Sequence, residues 1–259
     1  MPSSPRTISE EYYKEVVGRE AARDAVYAAD RILLKLGKLR APKPGDSILD
    51  VGCGTGIITA EFARRGLNAT GIDVVPEFIV VAQEKHPSVS FAVGTAEELP
   101  FPDQNFDFAN LSSLLEHVKD WRQTLREAAR VLRPEGVLYL STNNRLWPIQ
   151  AEIRYLHGFG YLPALFQRRI YAWVMRHRPE MVGYTHLPAY HWLTYWQIAK
   201  ELRRSELEPH SWAQLIDETD IPAWARKYTT MIMALKRSPL PVFPLLPHAN
   251  LIIARKNFA

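Results

Sequence analysis

The sequence predicts an α/β fold in which a mainly parallel β-sheet carries helices on both faces. Segments with strand and helix character alternate over residues 46–144, which is typical of parallel strands joined by crossover helices. A glycine-rich turn over residues 52–56 joins the first strand to the helix after it. The 259 residues, 47% hydrophobic and 23% charged, are enough to bury one full core.

The elements follow one another in a regular order. Residues 8–37 have helical spacing, and the segment APKPG at 41–45 interrupts the chain before the first strand. The alternating segments that follow are 47–51, 57–65, 69–73, 77–85, 89–93, 106–111, 121–132 and 137–141. Ligands bind at the carboxyl ends of parallel strands, so the residues that end these strands are the candidate site residues.

Beyond Asn144 the pattern changes. We expect a helix over 195–204 capped by Thr194, a sixth strand over 209–215 and a last strand over 251–256. The sequence thus predicts one domain, 1–259, with these parts: a helical cap at 1–45, a ligand-binding core at 46–144, a lid insertion at 145–193, and a second half of the sheet at 194–259 that contains another insertion at 217–248.

The glycine turn is suited to a ligand with a cationic end. Glycines at 52, 54 and 56 let backbone N–H groups approach a ligand where a Cβ would clash. Their spacing differs from the dinucleotide motif G-x-G-x-x-G, because Ile57 stands where that motif has its third glycine. Asp50 repels a pyrophosphate and attracts an amino-acid ammonium group. A tight connection without any ligand is the alternative for such a turn alone.

The pattern D-x-G-x-G-x-G at 50–56 resembles motif I of the class I S-adenosylmethionine-dependent methyltransferases. Four further segments, at 68–73, 91–101, 106–118 and 132–144, resemble later motifs in the family's order. The chain is similar in particular to the small-molecule methyltransferases of ubiquinone and menaquinone biosynthesis. The resemblance implies S-adenosylmethionine as cofactor. It also implies a Rossmann-like, doubly wound sheet of seven strands with the last strand antiparallel, and helical lid insertions.

The resemblance also assigns the amino-acid end of the cofactor. Asp50 is expected to reach the amino group directly or through water, with capping of the turn as the alternative role. A backbone carbonyl at Leu111 or Ser112 is expected to accept from the same ammonium. Two tyrosines of the first helix, Tyr12 and Tyr13, either close over the cofactor or belong to the core. The turn residues expected beneath the methionine part are Gly52, Cys53, Gly54 and Gly56.

The nucleoside end is assigned to the next two strands. Asp73 is expected to accept both ribose hydroxyls, with helix capping as the alternative, and Val74 to lie against the adenine ring. Thr95 and Ala96 stand where the family often has Asp-Ala. Since the aspartate is replaced here, Thr95 or Glu97 is expected to bind the adenine amino group.

Three histidines are candidate general bases. Methyl transfer from a sulfonium releases a neutral thioether, so no acid is needed, but an oxygen acceptor benefits from a base. His117, His186 and His191 are the candidates, with packing as the alternative role of each. A histidine suits a phenol or an enol better than a plain alcohol. We expect methylation of oxygen on a small aromatic, lipophilic or glycolipid acceptor; methylation of carbon or nitrogen, or a non-catalytic S-adenosylmethionine-binding module, are the alternatives.

The lid insertion has three interpretations. Residues 153–178 hold five arginines, six aromatics and no acid, and residues 165–178 are expected to be helical. The helix packs Ile170, Trp173 and Val174 on the domain, contacts a membrane surface peripherally, or binds nucleic acid through arginine and stacking. The net charge of +4 is mild, so we do not expect a nucleic-acid partner.

Cysteine and histidine usage bounds the remaining classes. Cys53 is the single cysteine, so no disulfide forms within the chain, and we expect a cytoplasmic protein with or without membrane association. No histidine or cysteine cluster has zinc spacing, and no metal is expected. The sequence leaves the oligomeric state open.

Overall fold

The computed structural model describes residues 19–146, 156, 158–178, 181, 189–221, 223–230, 233 and 249–257. The helices are α1 (Arg19–Leu36), α2 (Ile57–Arg64), α3 (Pro76–Lys85), α4 (Trp121–Val131), α5 (Ala164–His177), α6 (Tyr195–Arg204) and α7 (Trp212–Leu215). The strands are β1 (Ser47–Val51), β2 (Asn68–Asp73), β3 (Ser90–Val93), β4 (Phe106–Ser112), β5 (Leu132–Asn143), β6 (Leu207–Ser211) and β7 (Ala249–Lys256). Short 3-10 helices span Phe159–Tyr161, Glu218–Asp220 and Ala223–Tyr228.

The seven strands form one sheet in the order β3-β2-β1-β4-β5-β7-β6. β1 to β5 are parallel, and β7 runs antiparallel to both of its neighbours, β5 and β6. This confirms the doubly wound sheet with an antiparallel last strand. The strand order reverses between β1 and β4, which is where such folds leave a crevice for a ligand.

Helices cover both faces of the sheet, as predicted. Adjacent residues of one strand point to opposite faces, so Ile48 and Leu49 of β1 enter two different clusters of buried side chains. The cluster around Leu49 includes Leu125 of α4 and Ile198 of α6. The cluster around Ile48 includes Phe62 of α2 and residues of α1. The two cores fix the sheet, and with it the positions of the strand ends.

Helix caps explain one confirmed prediction and one correction. α6 begins after Thr194, whose hydroxyl accepts from the N–H of Gln197 at 3.3 Å, as predicted. The expected strand over 209–215 is wrong in its second half: β6 ends at Ser211 and α7 follows. Ser211 and Gln214 form a second capping box, and this Ser-x-x-Gln pattern starts a helix inside the range predicted as strand.

The lid helix α5 packs on the body through a small separate core. Val174 is buried with Tyr171, and Trp192 packs edge-on against Phe159 with ring centroids 4.8 Å apart. The expectation that Trp173 shares the packed side is wrong, because 55% of its surface is exposed. Residues two apart on a helix lie about 200° apart around its axis, so burying Tyr171 turns Trp173 outward.

The arginines of α5 are exposed, as predicted: Arg168, Arg169 and Arg176. No helix in the described ranges is long and apolar enough to cross a membrane. Several predictions fall outside the described residues, namely those on residues 8–18 with Tyr12 and Tyr13, on His186, and on residues 234–248 of the second insertion.

Candidate functional site

The glycine turn after β1 is left-handed at all three glycines. The φ angles of Gly52, Gly54 and Gly56 are 76°, 54° and 75°, a region that other residues rarely adopt. A Cβ on Gly56 would lie 2.5 Å from a ring carbon of Phe91, so this glycine is required for packing. A Cβ on Gly54 would meet nothing within 4 Å. The turn therefore offers open space against bare backbone at Gly54.

The Asp73 carboxylate ties the turn to the end of β2. Its Oδ2 accepts from the N–H of Gly54 at 2.9 Å, and its Oδ1 accepts from the N–H of Val75 at 2.9 Å. Each carboxylate oxygen has a second lone pair, so two further donors such as a ribose diol can bind. Val74 follows with 59% of its surface exposed. The structure thus places Gly54, Asp73 and Val74 together at one edge of the crevice.

Asp50 ends up inside the protein and not at the crevice surface. Thr59 Oγ1 donates to Asp50 Oδ2 at 2.6 Å, and Asn110 Nδ2 donates to Asp50 Oδ1 at 2.7 Å. Ser112 Oγ in turn donates to Asn110 Oδ1 at 2.7 Å. Burial raises the pKa of Asp50, while the hydrogen bonds from Thr59 and Asn110 oppose that rise. These four side chains form one chain of hydrogen bonds from α2 to the end of β4.

Sequence reasoning missed Thr59 and Asn110. Asn110 is a polar residue within the buried run of β4, and it pairs directly with Asp50 of β1. A polar residue in a buried strand can indicate a hydrogen bond to an acid on the neighbouring strand. Identifying the acid requires the register in which the two strands pair. That register is known only from the structure.

Cys53 points away from the open side of the turn. Its Sγ lies 2.8 Å from where a Cβ on Gly71 would stand, so the thiol occupies the space that Gly71 leaves in β2. Burial raises the pKa of the Cys53 thiol, and the charges of Asp50 and Asp73 raise it further. Cys53 is therefore a neutral packing group and a poor nucleophile.

The three residues expected to contact the adenine, which follow β3, differ in their exposure and hydrogen bonding. Thr95 is exposed, and Ala96 is buried. Glu97 Oε1 accepts from the N–H groups of Lys119 and Asp120 at 2.8 and 3.3 Å, just before α4. One oxygen of Glu97 is thus bound to backbone N–H groups, whereas Thr95 is exposed.

Two of the candidate histidines are associated with the segment after β4: His117 is part of it, and His191 hydrogen-bonds to its backbone. Leu111 is fully buried, and His117 is half-buried in the turn that follows. His191 Nε2 lies 3.2 Å from the carbonyl oxygen of Lys119. Since a carbonyl only accepts, this nitrogen carries the proton and Nδ1 is the basic atom. Burial lowers the pKa of His191, and the hydrogen bond to Lys119 partly offsets that effect.

A buried polar group lies beside these histidines. Thr142 Oγ1 donates to Glu116 Oε2 at 2.6 Å, and Tyr190 donates its N–H to the Glu116 carbonyl at 2.7 Å. Asn143 Nδ2 donates to the carbonyl of His191 at 3.1 Å, which leaves Asn143 Oδ1 buried without a hydrogen-bond partner. No sequence pattern indicates this group, because residues 116, 142 and 190 meet only in the fold.

Metal binding has no support within the described part of the chain, where no three His, Cys, Asp or Glu side chains form a group that could hold an ion.

The arrangement of residues at the crevice suits a nucleoside. It has an open backbone turn, a carboxylate at the neighbouring strand end and an exposed apolar side chain next to it. The fold and this site together define a Rossmann-like, nucleoside-binding α/β protein.

Comparisons with known proteins identify the family. Residues 49–140 match the family model described as a methyltransferase domain. A ubiquinone biosynthesis O-methyltransferase from Xanthomonas campestris pv. campestris is 31% identical over 161 residues, 56% of this chain and 67% of that protein. A demethylmenaquinone methyltransferase from Chlorobaculum parvum is 36% identical over 116 residues, 44% of this chain and 46% of that protein.

One solved structure shows the same fold. An S-adenosylmethionine-dependent methyltransferase from Mesorhizobium loti superposes with a TM-score of 0.59 at 18% identity, over 89% of this chain and 96% of that one. The chain belongs to the S-adenosylmethionine-dependent methyltransferases, and S-adenosylmethionine is its cofactor. The residues present fit that cofactor, because Gly54 borders open space and Asp73 keeps lone pairs for a diol.

Proposed function

We propose that the protein methylates an oxygen atom of a small aromatic, lipophilic or glycolipid acceptor. The observation that carries the proposal is that His117 lies on the segment directly after β4 and that His191 hydrogen-bonds to Lys119 of the same segment. The ubiquinone biosynthesis relative is named an O-methyltransferase, which supports oxygen as the atom. The lid helix α5 also carries exposed aromatic residues, Phe166 and Trp173, which are compatible with an aromatic or lipophilic acceptor.

In this proposal the cofactor lies across the ends of β1, β2 and β4. Asp73 accepts from the ribose hydroxyls, Val74 covers one face of the adenine, and Thr95 accepts from its amino group. The backbone at Gly54 lies beneath the methionine part. The ammonium end lies at Ser112. When bound, S-adenosylmethionine supplies an electrophilic methyl group on a sulfonium.

The residues of the chain then orient the acceptor and remove its proton. Holding the acceptor oxygen in line with the methyl group accounts for several kcal/mol, with about 7–11 kcal/mol in the best cases. His191 takes the acceptor's proton on Nδ1 while Nε2 remains bonded to Lys119, or His117 takes it in its place. Asn143 Oδ1 is a free buried acceptor for a second hydroxyl. The lid core limits water access.

We further propose that α5 makes peripheral contact with an anionic membrane. Phe166 and Trp173 are 53% and 55% exposed, and Arg168, Arg169 and Arg176 are exposed on the same helix. Exposed aromatics with arginines favour the interface of anionic lipid. A lipophilic acceptor is collected there.

The test is to incubate the purified protein with a metabolite extract and S-adenosylmethionine that carries a deuterated methyl group. Mass spectrometry is expected to find a labelled small molecule whose fragments place the label on oxygen. Heat-denatured protein serves as the control without transfer, and the Asp73→Ala variant is expected to transfer less label at a limiting concentration of S-adenosylmethionine. A label on carbon or nitrogen would contradict the proposed atom. Tight cofactor binding without any labelled product would contradict the enzymatic role in favour of a binding module.

A further inference from the structure

The buried Asp50 carboxylate reaches the crevice only through other side chains. Its residue is 3% exposed, and each of its oxygens already accepts a hydrogen bond from a side chain, Thr59 on one and Asn110 on the other. A buried carboxylate whose oxygens are both hydrogen-bonded to side chains can affect a ligand only through those side chains. The neighbour that leads toward the crevice is Asn110, which continues to Ser112 at the end of β4.

The two hydrogen bonds between Ser112 and Asp50 both point toward Asp50. An ionised carboxylate only accepts, so the amide nitrogen of Asn110 faces Asp50 and the amide oxygen faces Ser112. The hydroxyl hydrogen of Ser112 is used in the bond to Asn110 Oδ1 at 2.7 Å. Ser112 Oγ therefore has only lone pairs left, and it offers them from a half-buried position.

We propose that Asn110 and Ser112 transmit the negative charge of Asp50 to the ammonium end of the cofactor, with Ser112 Oγ as the accepting atom. Bonds that point the same way polarise one another, so the distal oxygen becomes a stronger acceptor. Such an atom binds an ammonium group and repels a carboxylate. Thr59 and Asn110 are then positioning residues that hold Asp50. The inference rests on the proposed placement of the amino-acid end at Ser112.

The charge that is transmitted depends on the ionisation of Asp50. Burial raises its pKa, and the nearby Asp73 carboxylate adds to the rise, whereas Thr59 and Asn110 lower it. Cys53, which also lies against this pair of acids, is neutral because burial raises its pKa. Removing the Asn110 donor is therefore expected to raise the pKa of Asp50 further. The affinity for an ammonium ligand is then lost at a higher pH when the solution is acidified.

The test compares two ligands by titration calorimetry. S-Adenosylhomocysteine has the amino-acid end, and 5′-methylthioadenosine is the same nucleoside thioether without it. Ser112→Ala and Asn110→Leu are each expected to lower the affinity for S-adenosylhomocysteine about ten-fold or more, which is the size of a charge-assisted hydrogen bond. The same variants are expected to lower the affinity for 5′-methylthioadenosine less than about two-fold. The acid-side loss of S-adenosylhomocysteine binding is expected at higher pH in Asn110→Leu than in the original protein.

Three controls keep the outcomes separable. Ser90→Ala changes an exposed serine at the start of β3, away from the crevice, and is expected to leave both affinities unchanged. Thr59→Val keeps the shape of the side chain and removes one donor to Asp50 without breaking the link to Ser112, so it is expected to move the acid-side loss of S-adenosylhomocysteine binding to higher pH and to leave the affinity at neutral pH unchanged. Thermal unfolding without ligand identifies a variant that fails to fold. Ser112→Ala removes a single hydroxyl and is the substitution expected to disturb the fold least.

Equal losses for both ligands, or no loss for either, would overturn the proposal. If the original protein binds both ligands equally, the amino-acid end adds nothing and the proposal fails while the nucleoside site stands. If the original protein binds neither ligand, the placement of the cofactor itself is wrong.

Discussion

Asp73 shows how one side chain can be predicted in position and still gain a second role in the fold. It stands at the end of β2, as the motif spacing predicts, and it also accepts from Gly54 and Val75. Glu97 shows the opposite case. Its bonds to the N–H groups before α4 depend on how two distant segments meet, so no local pattern could predict that it is engaged.

Asp73→Ala is expected to lower the affinity for both S-adenosylhomocysteine and 5′-methylthioadenosine by about 10–100-fold. Both ligands contain the ribose, and hydrogen bonds to a charged group contribute about 1.5–3 kcal/mol. Calorimetry measures the effect, which differs from that of Ser112→Ala in not sparing the second ligand. Glu77→Ala, an exposed acid in the first turn of α3, is the matched control. Unchanged affinity in Asp73→Ala would remove the ribose role.

The histidine proposal predicts a pH dependence of the turnover. A general base works in its neutral form, and burial lowers the pKa of His191. Turnover is therefore expected to rise with pH through a value below the ordinary pKa of about 6.5 and to level off above it. Replacing the true base by alanine is expected to slow turnover about 10²–10⁴-fold on the acceptor identified by labelling.

Both variants, His117→Ala and His191→Ala, are measured from about pH 5 to 9, with the exposed His177 of α5 replaced by alanine as control. If both retain the original turnover over this range, neither histidine is the base.

At the scale of elements, periodicity located the helices and strands of residues 46–144 well, because each has one buried face with a regular repeat. The sixth strand was misjudged, since Ser211 begins a helix that no apolar repeat announces. The rotation of α5 was also misjudged at Trp173. Its inward face is set by Gln167 as well, whose amide donates to the carbonyls of Phe159 and Gly160, so a polar residue lies where an apolar stripe is normally sought.

The exposed face of α5 predicts binding to anionic vesicles. The protein is expected to sediment with vesicles rich in phosphatidylglycerol and not with phosphatidylcholine vesicles, and added salt weakens the binding because the arginines are exposed. Trp173→Ser and the pair Arg168→Glu and Arg169→Glu are each expected to reduce the bound fraction. Trp196→Ser, a tryptophan 41% exposed on α6, is the control. Equal binding to both lipids would contradict the role of the arginines in anionic-lipid contact, and binding to neither would contradict membrane contact itself.

At the scale of the whole molecule, the order of elements was enough to predict the sheet and its ligand edge. Right-handed crossovers leave few ways to arrange alternating strands and helices. Interactions between distant segments were not predictable in this way. An example is Lys35 of α1, which is buried with its Nζ 5.6 Å from the Tyr139 ring centroid and 5.4 Å from that of Trp212.

Lys35 predicts a pH-dependent stability. Burial lowers its pKa from 10.5 to about 8, with a further contribution from Arg31, so the native state holds an unfavourable charge below about pH 8. As the pH rises from about 8 toward 10.5, the native state loses this proton before the unfolded state does, and Lys35 becomes less destabilising.

Lys35→Met is therefore expected to be more stable than the original protein at neutral pH, with a difference that narrows as the pH approaches 10. Chemical denaturation at both pH values measures the free energy of unfolding. The exposed Lys43, replaced by methionine, is the control. A constant difference between the two pH values would show that the Lys35 charge has no cost in the fold.

The most direct test of the account is a crystal structure of the protein with S-adenosylhomocysteine. It is expected to show the ribose on the Asp73 carboxylate, the thioether portion over the backbone of Gly54 and the ammonium on Ser112. Density for the ligand at another place, or a side chain filling the space beside Gly54, would contradict the cofactor site on which every other proposal depends.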